Sequence, residues 1–318
     1  MMNWTDRHCR YVHRLHAPHA LLYTEMIVAQ ALIRGNAERL LAHDAAEHPV
    51  ALQLGGSDPG MLAAAARMGA LAGYAEINLN VGCPSERVKS GAFGACLMLE
   101  PALVGECVRA MREAVPAGVP ITVKCRIGID HRDDYEFLAA FAERVVSAQV
   151  DALIVHARVA MLAGLSPKEN REIPPLKYAH VHRLKQDHPH LPIVINGGIT
   201  DVDSMSAQLA AGLDGVMLGR AAYHHPALLA AAERTLIDPA WNPPTPREII
   251  ERVVPYARAR LREGADLHAI TRHLHGLLSG RDGARAWRRF LSEVASRPGA
   301  TPETLFSAPG LLDQGLAA

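Results

Sequence analysis

The sequence lacks several features that mark large classes of proteins. It has no apolar run close to the roughly 20 residues of a membrane-spanning helix, and its first 20 residues contain no signal-peptide core. Neither sign of charge is in excess, because 33 Lys and Arg balance 33 Asp and Glu. With 49% apolar, 21% charged and 5% aromatic residues, the composition excludes disorder and a collagen-like chain. We therefore expect a soluble, cytoplasmic protein with no membrane partner.

Cysteine is scarce as well. The five cysteines are an odd number without a CxxC pair, so neither a disulfide framework nor a zinc site is indicated, and we expect no metal site. A lone cysteine is more often a small buried apolar residue than a functional thiol. Cys83 has a special position, because it lies between Gly82 and Pro84 on the loop that follows a predicted strand. A cysteine thiol is ordinarily protonated at neutral pH, so it can donate a proton without a partner base.

Short apolar segments that are typical of β-strands recur at about 32 residues, the length of one βα unit, and each precedes a stretch with helical periodicity. Regular βα units favour a parallel sheet closed into a TIM (β/α)8 barrel. The alternative, a doubly wound open sheet, should carry G-x-G-x-x-G after its first strand, and this motif is missing there. The predicted strands begin near Leu21, Val50, Glu76, Pro120, Ala152, Pro192 and Gly215.

One βα unit is missing from this series. Thr5-Asp6 is a plausible N-cap for a helix from about Arg7 to His16, which would be the first barrel helix, so its strand should precede Met1. A barrel without its first strand would leave two unpaired sheet edges. The spacing therefore predicts that the first strand lies before Met1.

The pattern changes after about residue 236. A proline-rich linker covers residues 241–246, and helical segments without strands follow at 247–263, 267–278, 284–295 and 302–312. We predict a barrel domain over residues 1–240 and an all-helical domain over 241–318. The second carries 11 Arg and no Lys against 8 Asp and Glu, a net charge of +3. Four arginines of this domain share one helix face by their spacing: Arg281, Arg285, Arg288 and Arg289. The simplest interpretation is that this face is exposed to solvent.

Polar residues stand near the carboxyl ends of the predicted strands, although strands covered on both faces should be almost continuously apolar. In a TIM barrel these ends meet at the active-site mouth. A single buried Lys or His is more often structural, but five polar strand ends at one mouth favour a functional site. Residues that share one side of their strand by the two-residue period are Asn78 with Asn80, Lys124 with Arg126 and His156 with Arg158, and two more strands end at Gln53 and Asn196.

Glycine-containing turns follow the last two predicted strands. Asn196-Gly197-Gly198 and Gly219-Arg220 both come ahead of a predicted helix, where backbone N–H groups can approach a ligand closely. Their place in the barrel favours a phosphate-bearing cofactor. Lys124 and His156 can face the N1/O2 edge of a flavin, where negative charge develops on reduction, so FMN fits better than a dinucleotide.

Two longer motifs stand out at these strand ends. They are Asn78-Leu79-Asn80-Val81-Gly82-Cys83-Pro84-Ser85, and His156-Ala157-Arg158 followed by Gly164-Leu165-Ser166-Pro167-Lys168-Glu169-Asn170-Arg171. Both resemble motifs of tRNA-dihydrouridine synthases of the A subgroup, and the likeness runs from Met1 to Arg289. The resemblance implies an FMN-containing TIM barrel with a C-terminal helical domain, NADPH as reductant, and reduction of uridines at positions 20 and 20a of the tRNA D-loop.

The resemblance also implies roles for single residues. Cys83 matches the general acid that protonates C5 of uracil after reduced FMN delivers hydride to C6, and Asn80 matches a contact to the target uridine. The uracil must be flipped out of the tRNA and laid on the flavin, with the thiol on its opposite face. Cofactor contacts are matched by Met2, Gln53, Lys124 and His156 for the flavin, and by Asn196, Gly197, Gly198, Gly219 and Arg220 for its phosphate.

For the tRNA we expect contacts from two strands, one loop and the tail. Strand direction suggests that Arg126 and Arg158 contact the uracil or nearby phosphate oxygens. The loop of residues 156–176 is longer than a usual βα loop, and such loops are commonly functional. The expected phosphate contacts are Lys168 and Arg171 on this loop and Arg285 and Arg288 on the tail helix.

The chain departs from the family pattern at Val159 and Met161, where the family usually has Lys and an aromatic residue. It also departs at its start, because the family places its first strand just before the residues that match Met1-Met2. We therefore expect that the natural protein is longer than 318 residues, and that a form beginning at Met1 retains FMN weakly. Two other functions remain open. One is a flavin-dependent reductase of a free pyrimidine or another small unsaturated molecule, and the other is a catalytically impaired tRNA-binding protein. We expect the protein to be a monomer.

Overall fold

The computed structural model of the chain describes residues 1–85, 88, 91–295, 297, 299–308, 310 and 312. The strands are β1 (Leu22–Val28), β2 (Val50–Gly55), β3 (Glu76–Val81), β4 (Ile121–Arg126), β5 (Ala152–His156), β6 (Ile193–Asn196) and β7 (Gly215–Met217). The helices from the first to the seventh are α1 (Arg7–His16), α2 (Ala29–Arg34), α3 (Ala37–Leu40), α4 (Pro59–Leu71), α5 (Pro101–Ala114), α6 (Tyr135–Val146) and α7 (Tyr178–Asp187). The others are α8 (Val202–Ala210), α9 (Arg220–His224), α10 (Ala227–Ala232), α11 (Pro246–Arg262), α12 (Leu267–Thr271) and α13 (Ala284–Glu293).

The seven strands form one parallel sheet in the order β1 to β7, and helices follow the strands along the chain. The pairing register places Gln53 beside Asn78 and Asn80 beside Lys124, so equivalent points of neighbouring strands lie at the same height. Every residue of β2 and β3 is buried, as expected for strands covered on both faces. The predicted fold class, a TIM-barrel arrangement followed by a helical C-terminal part, is confirmed.

Helix starts follow the capping chemistry of the sequence. The carboxylate of Asp6 accepts hydrogen bonds from the backbone N–H groups of His8 and Cys9, both at 3.0 Å, so α1 begins at the predicted residue. Asp134 caps α6 in the same way, with its Oδ1 2.8 Å from the backbone nitrogen of Phe137. These caps satisfy backbone donors that the first turn of a helix leaves without an intrahelical partner.

The chain folds into two compact units. The barrel unit contains Met1, Tyr23–His43 and Pro49–Leu218, and the helical unit contains Met2–Leu22, Asp44–His48 and Gly219–Ala318. The boundary after Leu218 falls earlier than the predicted division after residue 240. The expectation that α1 is the first barrel helix is wrong, because α1 belongs to the helical unit. The assignment of FMN binding to one domain and tRNA binding to the other stays a prediction.

The helical unit has its own core, in which α1 takes part. Val12 of α1 is buried together with residues of α11, α12 and α13. Tyr11 stacks on Tyr256 with ring centroids 3.8 Å apart, and Nδ1 of His8 lies 2.8 Å from the hydroxyl of Tyr256. Trp287 is fully buried, and its Nε1 donates to the carbonyl of Leu274 at 2.7 Å. These contacts explain why a helix from the beginning of the chain joins the C-terminal helices.

Two predicted helical segments differ from what their periodicity suggested. The segment 267–278 contains α12 only as far as Thr271, and a 3₁₀ turn over Arg272–Leu274 follows. The segment 302–312 contains a 3₁₀ helix over Pro302–Ser307. None of the helices in the described ranges combines the length and the apolar character that crossing a membrane requires.

Candidate active site

A layer of hydrogen-bonded polar side chains crosses the interior of the barrel unit. We call it the inner layer, and it consists of Tyr23, Gln53, Glu76, Asn78 and Thr122. Nε2 of Gln53 donates to Oδ1 of Asn78 at 2.9 Å, and Nδ2 of Asn78 donates to Oγ1 of Thr122 at 2.8 Å. The hydroxyls of Tyr23 and Thr122 donate to Oε1 of Glu76 at 2.6 and 2.5 Å. Each polar group is therefore held by its neighbours, as buried polar groups require.

Glu76 is the one carboxyl group of this layer, and burying its charged form is unfavourable. Burial raises the pKa of its carboxyl group, while the hydrogen bonds from Thr122 and Tyr23 act in the opposite direction. Burial, together with Glu76, also raises the pKa of the Tyr23 hydroxyl. The phenol is therefore fully protonated at neutral pH and serves as a donor.

Asn80, near the end of β3, holds the backbone of the residues that follow it, including Cys83. Oδ1 of Asn80 accepts hydrogen bonds from the backbone nitrogens of Gly82 and Cys83, at 3.1 and 3.0 Å. Nδ2 of Asn80 donates to Oε1 of Gln53 at 2.8 Å, so the loop is connected to the inner layer. The thiol of Cys83 is partly exposed and lies 3.5 Å from Oγ of Ser85. This arrangement places a partly accessible thiol at the end of β3, on a rigid base.

Arg126 fixes the same loop from the side. It is only 3% exposed, and its Nε donates to the carbonyl of Gly82 at 3.2 Å. Its Nη1 donates to the carbonyls of Val159 and Asn170, at 3.1 and 2.9 Å. Burial lowers the pKa of the guanidinium to about 10, so it remains charged at neutral pH. In this structure Arg126 ties the Cys83 loop to the loop after β5; its expected contact with uracil or phosphate stays a prediction.

Lys124, His156 and Asn196 lie at the ends of three neighbouring strands. Nζ of Lys124 donates to Oδ1 of Asn196 at 3.2 Å, and Nδ2 of Asn196 donates to the carbonyl of Met217 at 2.7 Å. Burial, with the charge of Arg126, lowers the pKa of Lys124 to about 8. Burial and four neighbouring cationic groups lower the pKa of His156 well below its usual value. At neutral pH the site therefore holds an ammonium group and a neutral imidazole.

The backbone after β6 has a shape that only glycine permits. Gly197 has φ +106° and Gly198 has φ +74°. A Cβ at Gly197 would lie 2.3 Å from Cδ2 of His156, and one at Gly198 would lie 2.4 Å from Cδ1 of Leu176. The hydroxyl of Tyr178 donates to the carbonyl of Gly197 at 2.7 Å and holds this turn. The turn brings bare backbone against the ring of His156.

The long loop after β5 is built around a buried asparagine. Asn170 is 0% exposed, its Oδ1 accepts from the backbone nitrogen of Met161 at 2.8 Å, and its Nδ2 donates to the carbonyl of Met161 at 3.0 Å. Lys168 and Arg171, on either side, are exposed. Val159 is buried, with its carbonyl bound to Arg126, so its side chain faces the protein. Two exposed cations are thus presented by a loop with a fixed core.

The structure brings together most of the predicted site residues of the barrel unit. Gln53, Asn80 and Cys83 are linked through hydrogen bonds, as are Lys124 and Asn196, and His156 packs against Gly197. Arg158 is partly buried and donates to the carbonyl of Pro174. Predicted residues that belong to the helical unit are Met2, which is 59% exposed, Gly219 and Arg220 at the start of α9, and Arg285 and Arg288, which are exposed on α13.

Four residues of this site were not predicted from the sequence: Tyr23, Glu76, Thr122 and Asn170. For two of them a signal was present. Glu76 continues the two-residue period of Asn78 and Asn80, and Thr122 continues that of Lys124 and Arg126. Tyr23 and Asn170 had no such neighbour pattern, because their partners lie on other elements.

Comparisons with known proteins agree with this geometry. The dihydrouridine synthase (Dus) family model matches residues 1–308. A tRNA-dihydrouridine(20/20a) synthase of Xanthomonas campestris pv. campestris is 54% identical over 301 residues, which cover 94% of this chain and 88% of that protein. Proteins of the same name from Synechocystis and Pasteurella multocida are 53% and 51% identical and cover 98% and 97% of this chain, and 94% and 93% of those proteins. With the family model matching nearly the whole described chain, this protein belongs to the dihydrouridine synthase family of oxidoreductases.

Proposed function

We propose that this protein reduces uridines of tRNA to 5,6-dihydrouridine, with FMN as cofactor and NADPH as reductant. The observation that carries the proposal is the partly exposed thiol of Cys83, whose backbone is held by Asn80 and whose neighbour Gly82 is held by Arg126. The names of the relatives point to positions 20 and 20a, and we propose the same uridines for this chain. Cytoplasmic location and a monomeric state stay predictions.

The residues at the strand ends fit FMN. Gly197 and Gly198 form a turn with positive φ values after β6, and Gly219-Arg220 starts α9 after β7; the loops after the last two strands are where such barrels bind phosphate groups. The ammonium of Lys124 and the neutral ring of His156 would hold the flavin ring. Gln53 uses its amide oxygen and one N–H within the polar network, so its second N–H is the donor it would offer to a bound flavin. When bound, FMN would supply the hydride that reduces the C5–C6 bond of uracil.

Cys83 is the proposed proton donor to C5 of the uracil. Asn80 holds the backbone of Cys83 through two hydrogen bonds, and Arg126 holds the carbonyl of Gly82, so the thiol is positioned before substrate arrives. Asn80 uses both ends of its amide in these contacts. We propose that it acts on the uridine mainly by placing the thiol.

Lys124 has a second proposed role beside the flavin. Its pKa of about 8 leaves it mostly protonated at pH 7, so its positive charge would stabilise the negative charge that a bound flavin gains on reduction. The partner oxygen of Asn196 holds the ammonium in place. Met2 is the remaining proposed flavin contact. We propose that Arg158, Lys168, Arg171, Arg285 and Arg288 contact the tRNA.

The test is to incubate the protein with FMN, NADPH and tRNA from a strain that lacks dihydrouridine synthases, and to map dihydrouridine by position. We expect dihydrouridine at position 20, 20a or both, and NADPH oxidation that depends on tRNA. Free uridine in place of tRNA should cause no NADPH oxidation above background. Oxidation with free uridine alone would favour the small-molecule reductase, and tRNA binding without product would favour a catalytically impaired binding protein.

A further inference from the structure

The inner layer continues through Asn80 to the loop of Cys83. The result is one unbroken chain of hydrogen bonds, which we call the amide chain. Its members, in order, are Glu76, Thr122, Asn78, Gln53 and Asn80, and their side chains are joined by hydrogen bonds of 2.5, 2.8, 2.9 and 2.8 Å. None of these five residues is more than 9% exposed. Because a buried polar group depends on its neighbours for hydrogen bonds, the members constrain one another.

The direction of the amide chain is fixed at the end that holds Cys83. A side-chain amide accepts at its oxygen and donates at its nitrogen, so its orientation depends on what its neighbours can offer. The backbone N–H groups of Gly82 and Cys83 can only donate, and they meet Oδ1 of Asn80. Nδ2 of Asn80 is therefore turned toward Gln53, whose oxygen accepts from it. This leaves the nitrogen of Gln53 to donate to Asn78.

The other end of the amide chain is an acceptor, the carboxyl group of Glu76. Nδ2 of Asn78 donates to Oγ1 of Thr122, and the Thr122 hydroxyl donates its own hydrogen to Oε1 of Glu76. Burial raises the pKa of Glu76, but the hydrogen bonds from Thr122 and Tyr23 act in the opposite direction. Donors at one end and an acceptor at the other thus agree on one orientation for every amide between them.

Gln53 has one donor left over within the amide chain. Its Nε2 carries two hydrogens, of which one is bound to Oδ1 of Asn78, and its oxygen accepts from Asn80. These two hydrogen bonds hold both ends of a planar amide, so they prevent it from turning over. The second N–H is therefore the group that Gln53 offers to a ligand. Such a donor pairs with an acceptor atom, and a flavin ring has several among its carbonyl oxygens and ring nitrogens.

We propose that Thr122 is a positioning residue for the cofactor, because it keeps the amide of Gln53 fixed with an N–H, and not the carbonyl oxygen, free for FMN. This inference rests on the proposed function for its ligand. Without the Thr122 hydroxyl, Nδ2 of Asn78 would be a buried donor without its acceptor, so the Asn78 amide would turn toward another one. Gln53 would then lose one of its two anchors. A donor that is fixed before the ligand arrives loses less conformational entropy on binding, so the amide chain should act on FMN affinity, while proton transfer stays with Cys83.

The test compares two hydroxyls that donate to the same oxygen of Glu76. Thr122→Val removes the hydroxyl that belongs to the amide chain, and Tyr23→Phe removes the one that does not. Both changes take one hydrogen bond from the carboxyl group and leave the side chain nearly unchanged in shape. The Kd for FMN is measured by titrating FMN into each FMN-free variant, after urea unfolding has shown that the variant is folded. We expect Thr122→Val to raise this Kd about 5- to 10-fold and Tyr23→Phe to raise it less than about 2-fold.

Two further variants separate positioning from a general structural effect. Thr122→Ser keeps the hydroxyl, so its Kd for FMN should stay within about 2-fold of wild type. Gln53→Ala removes the proposed donor, so adding Thr122→Val to it should change Kd by less than about 2-fold. An equal loss of affinity with and without Gln53 would overturn the inference, and so would equal effects of Thr122→Val and Tyr23→Phe.

Asn78→Ala removes the same anchor of Gln53 directly, and it replaces Thr122→Val in the test if that variant does not fold. It should raise Kd for FMN at least about 5-fold. An Asn78→Ala variant that binds FMN as tightly as wild type would overturn the inference.

The same measurements separate this inference from the proposed function. If FMN binding depends on Thr122 and Gln53 as expected but the wild-type protein forms no dihydrouridine in tRNA, the proposed function fails and the inference stands. If dihydrouridine forms and Thr122→Val binds FMN as tightly as Tyr23→Phe, the inference fails alone.

Discussion

Two sets of polar side chains in the barrel unit use their hydrogen bonds differently. In the inner layer, donors and acceptors of Gln53, Asn78 and Thr122 bind one another across β2, β3 and β4. The second set, which we call the mouth layer, consists of Asn80, Lys124 and Arg126 near the strand ends. Asn80 and Arg126 form hydrogen bonds with the backbone of loops, although Nδ2 of Asn80 also donates to Oε1 of Gln53. Both sets stand on the same strands, with the same two-residue period.

The difference concerns charge as well as partners. The inner layer contains neutral groups and one carboxyl group whose pKa burial raises. The mouth layer contains Lys124 and Arg126, whose pKa values burial lowers to about 8 and about 10. Cations that are held together at a burial cost are typical of functional sites. The comparison suggests that the inner layer stabilises the fold and that the mouth layer contributes the chemistry.

The largest expected effect on the reaction rate comes from removing the Cys83 thiol, which the mouth layer holds in place. Cys83→Ala should lower the rate of dihydrouridine formation by about 10²- to 10⁴-fold, because a positioned general acid contributes about that much. Its affinity for tRNA should stay within 2-fold of wild type. Cys96→Ala is the control, since Cys96 is also partly exposed and its thiol donates to the carbonyl of Phe93. An unchanged rate in Cys83→Ala, measured in single turnover with pre-reduced enzyme, would remove Cys83 from the mechanism.

The stability of the two layers can be compared by the same substitution at two positions of β3, Asn78 in the inner layer and Asn80 in the mouth layer. Asn78→Ala leaves the buried Nε2 of Gln53 without its acceptor and removes one of the two hydrogen bonds of the Thr122 hydroxyl, so it should lower the free energy of unfolding by about 2–4 kcal/mol. Asn80→Ala should cost about 1–2 kcal/mol, because Asn80 is 8% exposed and water can replace part of its contacts.

Urea unfolding measures these free energies, and single-turnover reduction of tRNA measures activity. We expect Asn80→Ala to slow reduction at least 10-fold, whereas Asn78→Ala should slow it less. The reverse order in both measurements would contradict the division into two layers.

A pair of glycines tests the turn beside His156. Gly197 and Gly212 have similar φ values, +106° and +94°, but a Cβ at Gly212 would meet nothing within 4 Å. Gly212→Ala should therefore show only the backbone cost, about 1 kcal/mol. Gly197→Ala should cost about 1–2 kcal/mol more and should weaken FMN binding, because His156 must move. Equal unfolding free energies for the two variants would mean that the ring of His156 can move away from a Cβ at position 197 at no measurable cost in stability.

The smallest expected effect is an increase in stability, whereas the substitutions at Asn78, Asn80 and Gly197 should decrease it. Burial lowers the pKa of Lys124 from 10.5 to about 8, so between those pH values the unfolded chain binds the proton more strongly than the folded one. Stability should rise with pH across this window, and the penalty is fully present below pH 8. Lys124→Met should therefore stabilise the FMN-free protein by about 1–2 kcal/mol at pH 7 while weakening FMN retention.

Lys185→Met is the matched control for that prediction. Nζ of Lys185 lies 2.7 Å from Oδ2 of Asp214 and also donates to two backbone carbonyls, so its loss should lower stability. Thermal unfolding of FMN-free protein between pH 7 and 10 distinguishes the two variants. A stability curve for Lys124→Met that rises with pH as steeply as that of wild type would contradict the assigned pKa.

The sequence predicted the strands well. Strand starts expected near Val50, Glu76, Ala152 and Gly215 are observed at those residues, because buried parallel strands are short apolar runs bounded by turn residues. Helix ends were less predictable. The segment 267–278 has helical periodicity throughout, but α12 gives way to a 3₁₀ turn whose residues Arg272 and His273 bind Asp6. That partner is distant in the sequence, so periodicity cannot show it.

The site could be predicted as a set of residues but not as a set of contacts. The two-residue period correctly put Lys124 and Arg126 on one side of β4. It could not show that Arg126 binds the carbonyls of Gly82, Val159 and Asn170, since those partners lie on loops whose course depends on tertiary packing. For the same reason the sequence predicted a functional loop after β5 from its length and its exposed cations. It could not show that the buried side chain of Asn170 holds this loop through hydrogen bonds to Met161.

The membership of α1 in the helical unit has a consequence for how the chain is made. His8 and Tyr256, which are hydrogen-bonded in the folded protein, are 248 positions apart. A ribosome therefore releases α1 well before its packing partner α11, and residues 23–43 and 49–218 of the barrel unit emerge in between. During that interval the apolar side of α1, with Val12, is exposed to solvent and to other nascent chains. Vectorial synthesis thus makes completion of the helical unit a late event, which favours early assembly of the sheet.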